Sequence, residues 1–254
     1  LHKFFAKTLF LGKKVYFLPE CHSTNESVVD YHHQSGMKEG VVLWTDHQTA
    51  GRGQRGNGWQ ADPGKNLLAS ISLVPRWLAI QDQYLLNVFS ALAIRECLQQ
   101  YTDYPVMIKW PNDIYIKERK ITGILVETSI SSSHLELVIL GFGVNVNQAD
   151  FLLPRVTSLK LLGQDDVDRE ELLEDMILSI EKWYLKLKSS SVEELLKAYH
   201  LHLLGKDEKR TYQTYKTFEG INRGIDSRGR LLIERVGENN EIIAYDIKEI
   251  TLRL

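Results

Sequence analysis

Several short segments of this chain carry cations, amides and glycines at spacings suited to binding and activating an anion. GRGQRGNGW (51–59) places Gly51, Gly53 and Gly56 in the spacing G-x-G-x-x-G, with Arg52 and Arg55 between them. Glycines let an anion approach backbone N–H groups closely, and guanidinium groups are permanently charged donors that match carboxylate or phosphate geometry. KWPND (109–113) ends an apolar run in Lys109 and adds Asn112 and Asp113 at a turn. An amide can read a nucleotide or sugar, and a carboxylate can hold Mg2+. Lys120 stands just before ITGILVE (121–127), and GFGVNVN (141–147) puts Gly141 and Asn145 near a strand end. Each lysine alone reads as a solvated charge, and glycine in a strand reads equally as a bulge or as close approach of a ligand. Together they are parts of a triphosphate site built without a P-loop, because the chain contains no G-x-x-x-x-G-K-[ST].

A dinucleotide-binding turn needs a strand before the glycines and a helix straight after them, its N-terminus facing the pyrophosphate. VVLWTD (41–46) supplies the strand, but NGWQADPGKN (57–66) adds further glycines and a proline where the helix should start. That reading fails on its context, and an anion loop is favoured over a plain turn.

The elements that must position these segments follow from local patterns. Ser23 and Glu26 have the form of a capping box, predicting a helix to about His33 that stops near Gly36. NLLASISLV (66–74) reads as a strand, and Leu85, Phe89, Leu92 and Leu98 predict a helix within about 80–101. VMIKW (106–110) and DIYI (113–116) are extended, and ITGILVETSI (121–130) and HLELVILGFGVNV (134–146) form a hairpin around the serines at 131–133. Asp168 and Ser191 are caps of two further helices, and Gly205 is placed to end the second. Beyond it, short extended runs separated by turn residues suggest a small β-barrel appended to an α+β domain.

Composition bounds the function. The chain has 254 residues, 31 Lys plus Arg against 33 Asp plus Glu and a net charge of −2, so an anion site must be local. Its two cysteines, Cys21 and Cys97, lack C-x-x-C spacing, which argues against a disulfide framework or zinc site and for a reducing compartment. The first 15 residues are too short and lysine-interrupted to span a bilayer, so cytoplasmic placement is expected. The pairs His32-His33 and His200-x-His202 lack the spacing of a zinc helix.

Five motifs, SerThrAsn (23–25), GRGQRGNGW, KWPND, GILVE (123–127) and GFGVN (141–145), stand in the order found in biotin protein ligases, which this chain resembles. AsnArgGlyIleAsp (222–226) extends the resemblance toward the C-terminus. It implies an α+β catalytic domain over 1–205, akin to class II aminoacyl-tRNA synthetases, with a mixed, mainly antiparallel sheet, and an SH3-like barrel over 206–254. It also implies a two-step reaction with biotin and ATP as substrates and Mg2+ as cofactor. Biotin is activated to biotinyl-5′-AMP, then transferred to a lysine of the biotin carboxyl carrier protein of acetyl-CoA carboxylase. The resemblance assigns Ser23, Thr24, Asn25, Gln48, Gly51, Arg52, Gly53, Gln54, Lys120, Gly123 and Gly141 to biotin. It assigns Arg55, Gly56, Trp59, Lys109, Asn112, Lys120, Asn145 and Arg223 to the nucleotide, Asp113 to Mg2+, and catalysis to Arg52, Lys109 and Lys120. The glycine loop of many relatives reads GRGRRGR, whereas Gln54 and Asn57 stand here, which bears on how firmly the adenylate is retained. Some relatives carry an N-terminal DNA-binding domain, but SerThrAsn begins after 22 residues, so neither DNA nor membrane is an expected partner. A homodimer is left open.

Two other readings compete. A lipoate or octanoate ligase would use a similar site, but an aliphatic acid would leave Ser23, Thr24 and Gln48 unpaired. A non-catalytic nucleotide sensor would not require so much positive charge at one reaction centre.

Overall fold

A computed structural model describes residues 7–237 and 241–254. The chain runs β1 (Lys14–Cys21), α1 (Thr24–Gln34), β2 (Val41–Gln48), β3 (Leu67–Leu73), α2 (Tyr84–Leu98), β4 (Val106–Lys109), β5 (Asp113–Ile116), β6 (Arg119–Ile130) and β7 (Leu135–Val144). Helices α3 (Arg169–Ser189) and α4 (Val192–Leu201) follow, then β8 (Lys209–Gln213), β9 (Thr217–Ile225), β10 (Leu231–Arg235), β11 (Ile242–Tyr245) and β12 (Thr251–Leu252). The first seven strands form one sheet in the order β1-β2-β3-β7-β6-β5-β4. Only β1 and β2 pair in parallel; the other neighbours are antiparallel. The expected mixed, mainly antiparallel α+β architecture is therefore present.

Period-two alternation divides this sheet into two chemically different faces. Val42, Trp44, Leu67, Ala69, Ile71, Val138, Leu140, Phe142 and Val144 enter the main core with Leu85, Phe89 and Leu92 of α2 and Met176, Ile177 and Ile180 of α3. The opposite face carries a small cluster, Val28 of α1 with Val41, Leu43 and Ile139. The rest of that face is the floor on which the site is built.

The β1 strand was not legible as a strand; Lys14 and Pro19 obscure alternation, and pairing with β2 supplies what local pattern lacks. Ser23 occupies the N-cap position of α1, but its side chain makes no cap hydrogen bond, so the expected capping box does not form. Asp168 does cap α3, accepting from Glu170 N at 2.7 Å and Glu171 N at 3.2 Å. Helix α4 ends at Leu201, earlier than Gly205, which instead adopts φ +70° in the following turn. The segment before β1 is fastened by Glu181 of α3, whose carboxylate accepts the backbone N–H groups of Leu9, Phe10 and Leu11 at 2.6, 2.8 and 2.9 Å.

The last five strands form an antiparallel sheet ordered β11-β10-β9-β8-β12. Among the described residues its edge strands are not paired with each other, so by hydrogen bonding the expected small barrel is an open sheet. Two hydrogen bonds hold the turn after β4. Trp110 Nε1 donates to Gly229 O at 3.0 Å, and the fully buried Tyr199 of α4 donates to Pro111 O at 2.7 Å.

Candidate active site

Sheet register composes the cleft floor in three rows. Leu68, Gly143 and Gly123 align across β3, β7 and β6; Ser70, Gly141 and Leu125 form the next row; Ser72, Ile139 and Glu127 the third. All point away from the main core, because their odd-numbered or even-numbered neighbours fill it. The glycines are required by what lies on them. A Cβ at Gly141 would sit 1.9 Å from Asn25 Oδ1, and one at Gly143 would sit 2.5 Å from Trp59 Nε1. A Cβ at Gly123 would meet the same indole at 2.7 Å.

The glycine loop folds as a tight hairpin. Trp59 N donates to Gly51 O at 2.9 Å and Gly53 N to Asn57 O at 2.7 Å, around a single 3-10 turn at Gln54–Gly56. No helix follows it, in keeping with the rejection of a dinucleotide turn. The hairpin lays Trp59 across the floor, where Nε1 is buried with no hydrogen-bond partner, a donor that a ligand acceptor would satisfy.

One cleft, with a water-accessible volume of about 270 Å³, runs from the α1 N-terminus to the C-terminal sheet. At one end lie polar groups in a network. Thr24 donates from N and Oγ1 to Gln48 Oε1 at 2.8 and 3.1 Å. Ser70 Oγ lies 2.7 Å from Thr24 Oγ1 and 2.6 Å from Asn25 Oδ1. Ser23, freed from capping, lines the same end.

The middle of the cleft is cationic. Arg52 lies 3.3 Å from Glu127 and 3.6 Å from Glu26. Lys120 donates to Asp113 Oδ2 at 2.8 Å, and its ammonium stands 5.7 Å from the Trp59 ring centroid. Lys109 Nζ is 3.5 Å from Tyr115 OH. Burial, with Asp113 adding to it, pushes the Tyr115 phenol above its usual range, so it stays a neutral partner beside Lys109. Burial likewise raises the Cys21 thiol, which is no thiolate nucleophile at neutral pH.

Of the residues singled out from sequence, Ser23, Thr24, Asn25, Gln48, Arg52, Gly53, Gln54, Trp59, Lys109, Asp113, Lys120, Gly123 and Gly141 line this cleft. Gly51 and Gly56 shape the hairpin behind it. Asn112 is fully buried and supports Gln54, accepting from its Nε2 at 2.6 Å while donating to Asn87 at 2.7 Å. Asn145 is buried and donates to Thr157 O at 3.0 Å. Arg223 is held by Asp207 and Glu234, both at 2.8 Å, outside the cleft lining. The Arg55 side chain lies outside the described part of the structure. Sequence reasoning gave no role to Glu127, although it lies within GILVE, nor to the far wall, Leu204, Tyr212, Asn222, Leu231, Ile250 and Leu252. Apart from Asn222, the first residue of AsnArgGlyIleAsp, no local signal marks that wall, because it forms only when the second sheet packs against the turn after β4.

Residues 18–145 match the biotin/lipoate A/B protein ligase family. This chain belongs to that family. Over its length it is 29% identical to the bifunctional ligase/repressor BirA of Bacillus subtilis, covering 97% of this chain and 77% of that protein. It is 30% identical to the biotin–[acetyl-CoA-carboxylase] ligase of Paracoccus denitrificans over 84% of this chain and 91% of the relative. The structure superimposes on a biotin protein ligase from Aquifex aeolicus in complex with biotin and ATP with a TM-score of 0.79 and 29% identity, covering 95% of this chain and 99% of that one. For this member of the family the shared fold thus spans both sheets. Among the described residues no helix is long and apolar enough to cross a membrane.

Proposed function

We propose that this chain is a biotin protein ligase, activating biotin with MgATP to biotinyl-5′-AMP and transferring it to a lysine of the biotin carboxyl carrier protein of acetyl-CoA carboxylase. The observation that carries this reading is the joining, in one cleft, of a polar end with a cationic middle. A ureido ring presents two N–H donors and a carbonyl acceptor. Ser23, Thr24 and Gln48 offer hydroxyl and amide groups to match them, which an aliphatic acid would leave unpaired.

Two anions must meet in the first step. Arg52 and Lys120 reduce their repulsion and stabilise the charge that accumulates as a carboxylate oxygen bonds to the α-phosphorus and the bond to pyrophosphate breaks. Lys109, which lines the same cleft, adds a further cation for the nucleotide. In the second step the carrier's amine attacks the acyl carbon, loses a proton and expels AMP, so the enzyme need supply no nucleophile of its own. Trp59, laid on the cleft floor with an unpartnered Nε1, is the residue to cover the adenine.

Among the described residues no group of three or more His, Cys, Asp or Glu side chains could hold a metal. Asp113, the one carboxylate among the described lining residues, would be the residue to hold a Mg2+ that arrives on ATP, through the oxygen not paired with Lys120, since that ion is commonly held by one or two carboxylates together with phosphates and water. Bound there, Mg2+ would neutralise phosphate charge. The division into a catalytic domain over 1–205 and a C-terminal domain over 206–254 is part of the same proposal.

The test is pyrophosphate release from ATP and Mg2+ with biotin or lipoate as the acid. Release with biotin alone supports the proposal; release with lipoate alone moves the assignment to a lipoate ligase; release with neither favours a nucleotide sensor.

A further inference from the structure

Glu127 has no part in the reaction as proposed. It is neither nucleophile nor needed base, yet it sits at the seam between the polar end of the cleft and the cationic middle. Its Oε2 accepts from Asn25 Nδ2 at 2.6 Å and from Arg52 Nη2 at 3.3 Å. The Asn25 contact is fixed at its other end, since Asn25 is buried and its Oδ1 lies 2.6 Å from Ser70 Oγ. The Arg52 contact is looser: the Arg52 and Glu127 side chains are 43% and 40% exposed.

A carboxylate touching the very cation that must receive the substrate's carboxylate is a competitor for it. A carboxylate ordering a buried amide of the ring pocket is a support. One side chain does both. Resting on the biotin-ligase reading, we propose that Glu127 is a positioning residue. It orients the Asn25 amide in the ring pocket and holds Arg52 until the biotin carboxylate takes Arg52 over, Glu127 keeping Asn25 throughout.

The two roles differ in strength. An ion pair open to water on both sides is worth a factor of about five at most in an equilibrium, so Arg52 is released cheaply. A hydrogen bond from a largely buried amide to a charged carboxylate is worth about tenfold or more. The roles also act on biotin affinity with opposite signs, which separates them from a merely structural contribution.

The experiment is calorimetric titration of biotin into the full chain and four variants, Glu127→Gln, Glu127→Ala, Arg52→Gln and the Arg52→Gln/Glu127→Gln double, with thermal melting of each. Glu127→Gln keeps a neutral acceptor for Asn25 and removes the nearer of the two carboxylates at Arg52, leaving Glu26 at 3.6 Å, so biotin should bind tighter, by up to about fivefold. Glu127→Ala removes both, and binding should weaken by about tenfold or more. Adding Glu127→Gln to Arg52→Gln should give no tightening, because there is no longer a cation to release. Tighter binding that survives in the Arg52→Gln background would reduce the effect to a general change of potential and overturn the proposal. Weakening by Gln equal to that by Ala would overturn it too. Wild-type protein that binds no biotin sinks the proposed function itself; wild-type binding with the variants ordered otherwise sinks only the role of Glu127.

Discussion

Gly141→Ala is the substitution whose consequence the structure fixes most tightly. The added methyl would stand 1.9 Å from Asn25 Oδ1 and 2.8 Å from its Cγ, with both residues buried. Neither can move far, because Gly141 is paired on both sides, to Ser70 and to Leu125. Asn25 must therefore leave its contacts with Ser70 and Glu127. Overpacking of this kind costs about 1–3 kcal/mol. With partial recovery of the displaced amide by water, we expect a net loss near ~2 kcal/mol and a fall in Tm of about 4–8 °C for a chain of this size. The polar end of the cleft loses its alignment at the same time, so biotin affinity should drop by about tenfold or more, equivalent to ~1.4 kcal/mol. Thermal melting and calorimetric titration measure the two effects separately. Gly58→Ala is the control for stability alone, since its Cβ would lie 3.8 Å from the nearest atom, Gly51 O, an ordinary contact, although Gly58 lines the cleft. Wild-type Tm and wild-type biotin binding in Gly141→Ala would refute the reasoning, for Asn25 could then not be seated on the sheet as described.

Other outcomes follow from the same geometry. Lys120→Ala should lower biotin-dependent pyrophosphate release by about a hundredfold or more, the scale of losing one preorganised charge at a reaction centre, while Tm changes little; wild-type turnover would show its role misassigned. His200 Nε2 accepts from Ile225 N at 3.0 Å, and burial first, then Lys206, lowers its pKa below 6.5, with Asp207 opposing. The neutral ring thus contributes stability that is whole above about pH 6.5 and is lost as pH falls through the folded-state value. Urea unfolding followed from about pH 7 to about pH 5 should weaken, and the slope should flatten in His200→Gln; an unchanged slope would count against the contact. Glu181→Ala removes the acceptor of three backbone N–H groups, two of them in part-buried contacts, and should cost about 2 kcal/mol in urea unfolding. Unaltered stability would mean the segment at residues 8–11 is held by other contacts.

Much of this was readable from residue order, and the exceptions have physical causes. Helices α2 and α3 were legible because their apolar spacing is their packing face, and Asp168 caps as its type suggests. Strand β1 was not, because a strand whose partner is distant in the chain needs no strong pattern of its own. The SerThrAsn start of α1 shows the limit differently: the residues that look like a cap line the cleft instead, and the Ser23 side chain makes no cap hydrogen bond. Asn112 and Asn145 were expected at the nucleotide; their side chains bond Gln54, Asn87 and Thr157 O, links that only the tertiary fold creates. Glu127 escaped notice because a single carboxylate in a strand has no signature until the register puts it beside Arg52.

The far wall of the cleft carries a practical consequence. Tyr212, Leu231, Ile250 and Leu252 close it from the second sheet, and Tyr212 is so enclosed that burial pushes its phenol up to about 12. A fragment stopped near residue 205 would lack that wall, bare Trp110, Pro111 and Leu204 on the opposite side to water, and remove the Gly229 acceptor of Trp110. Anyone wishing to miniaturise this protein would have to design a replacement wall before trimming, since the tail that looks dispensable on paper is one side of the cleft.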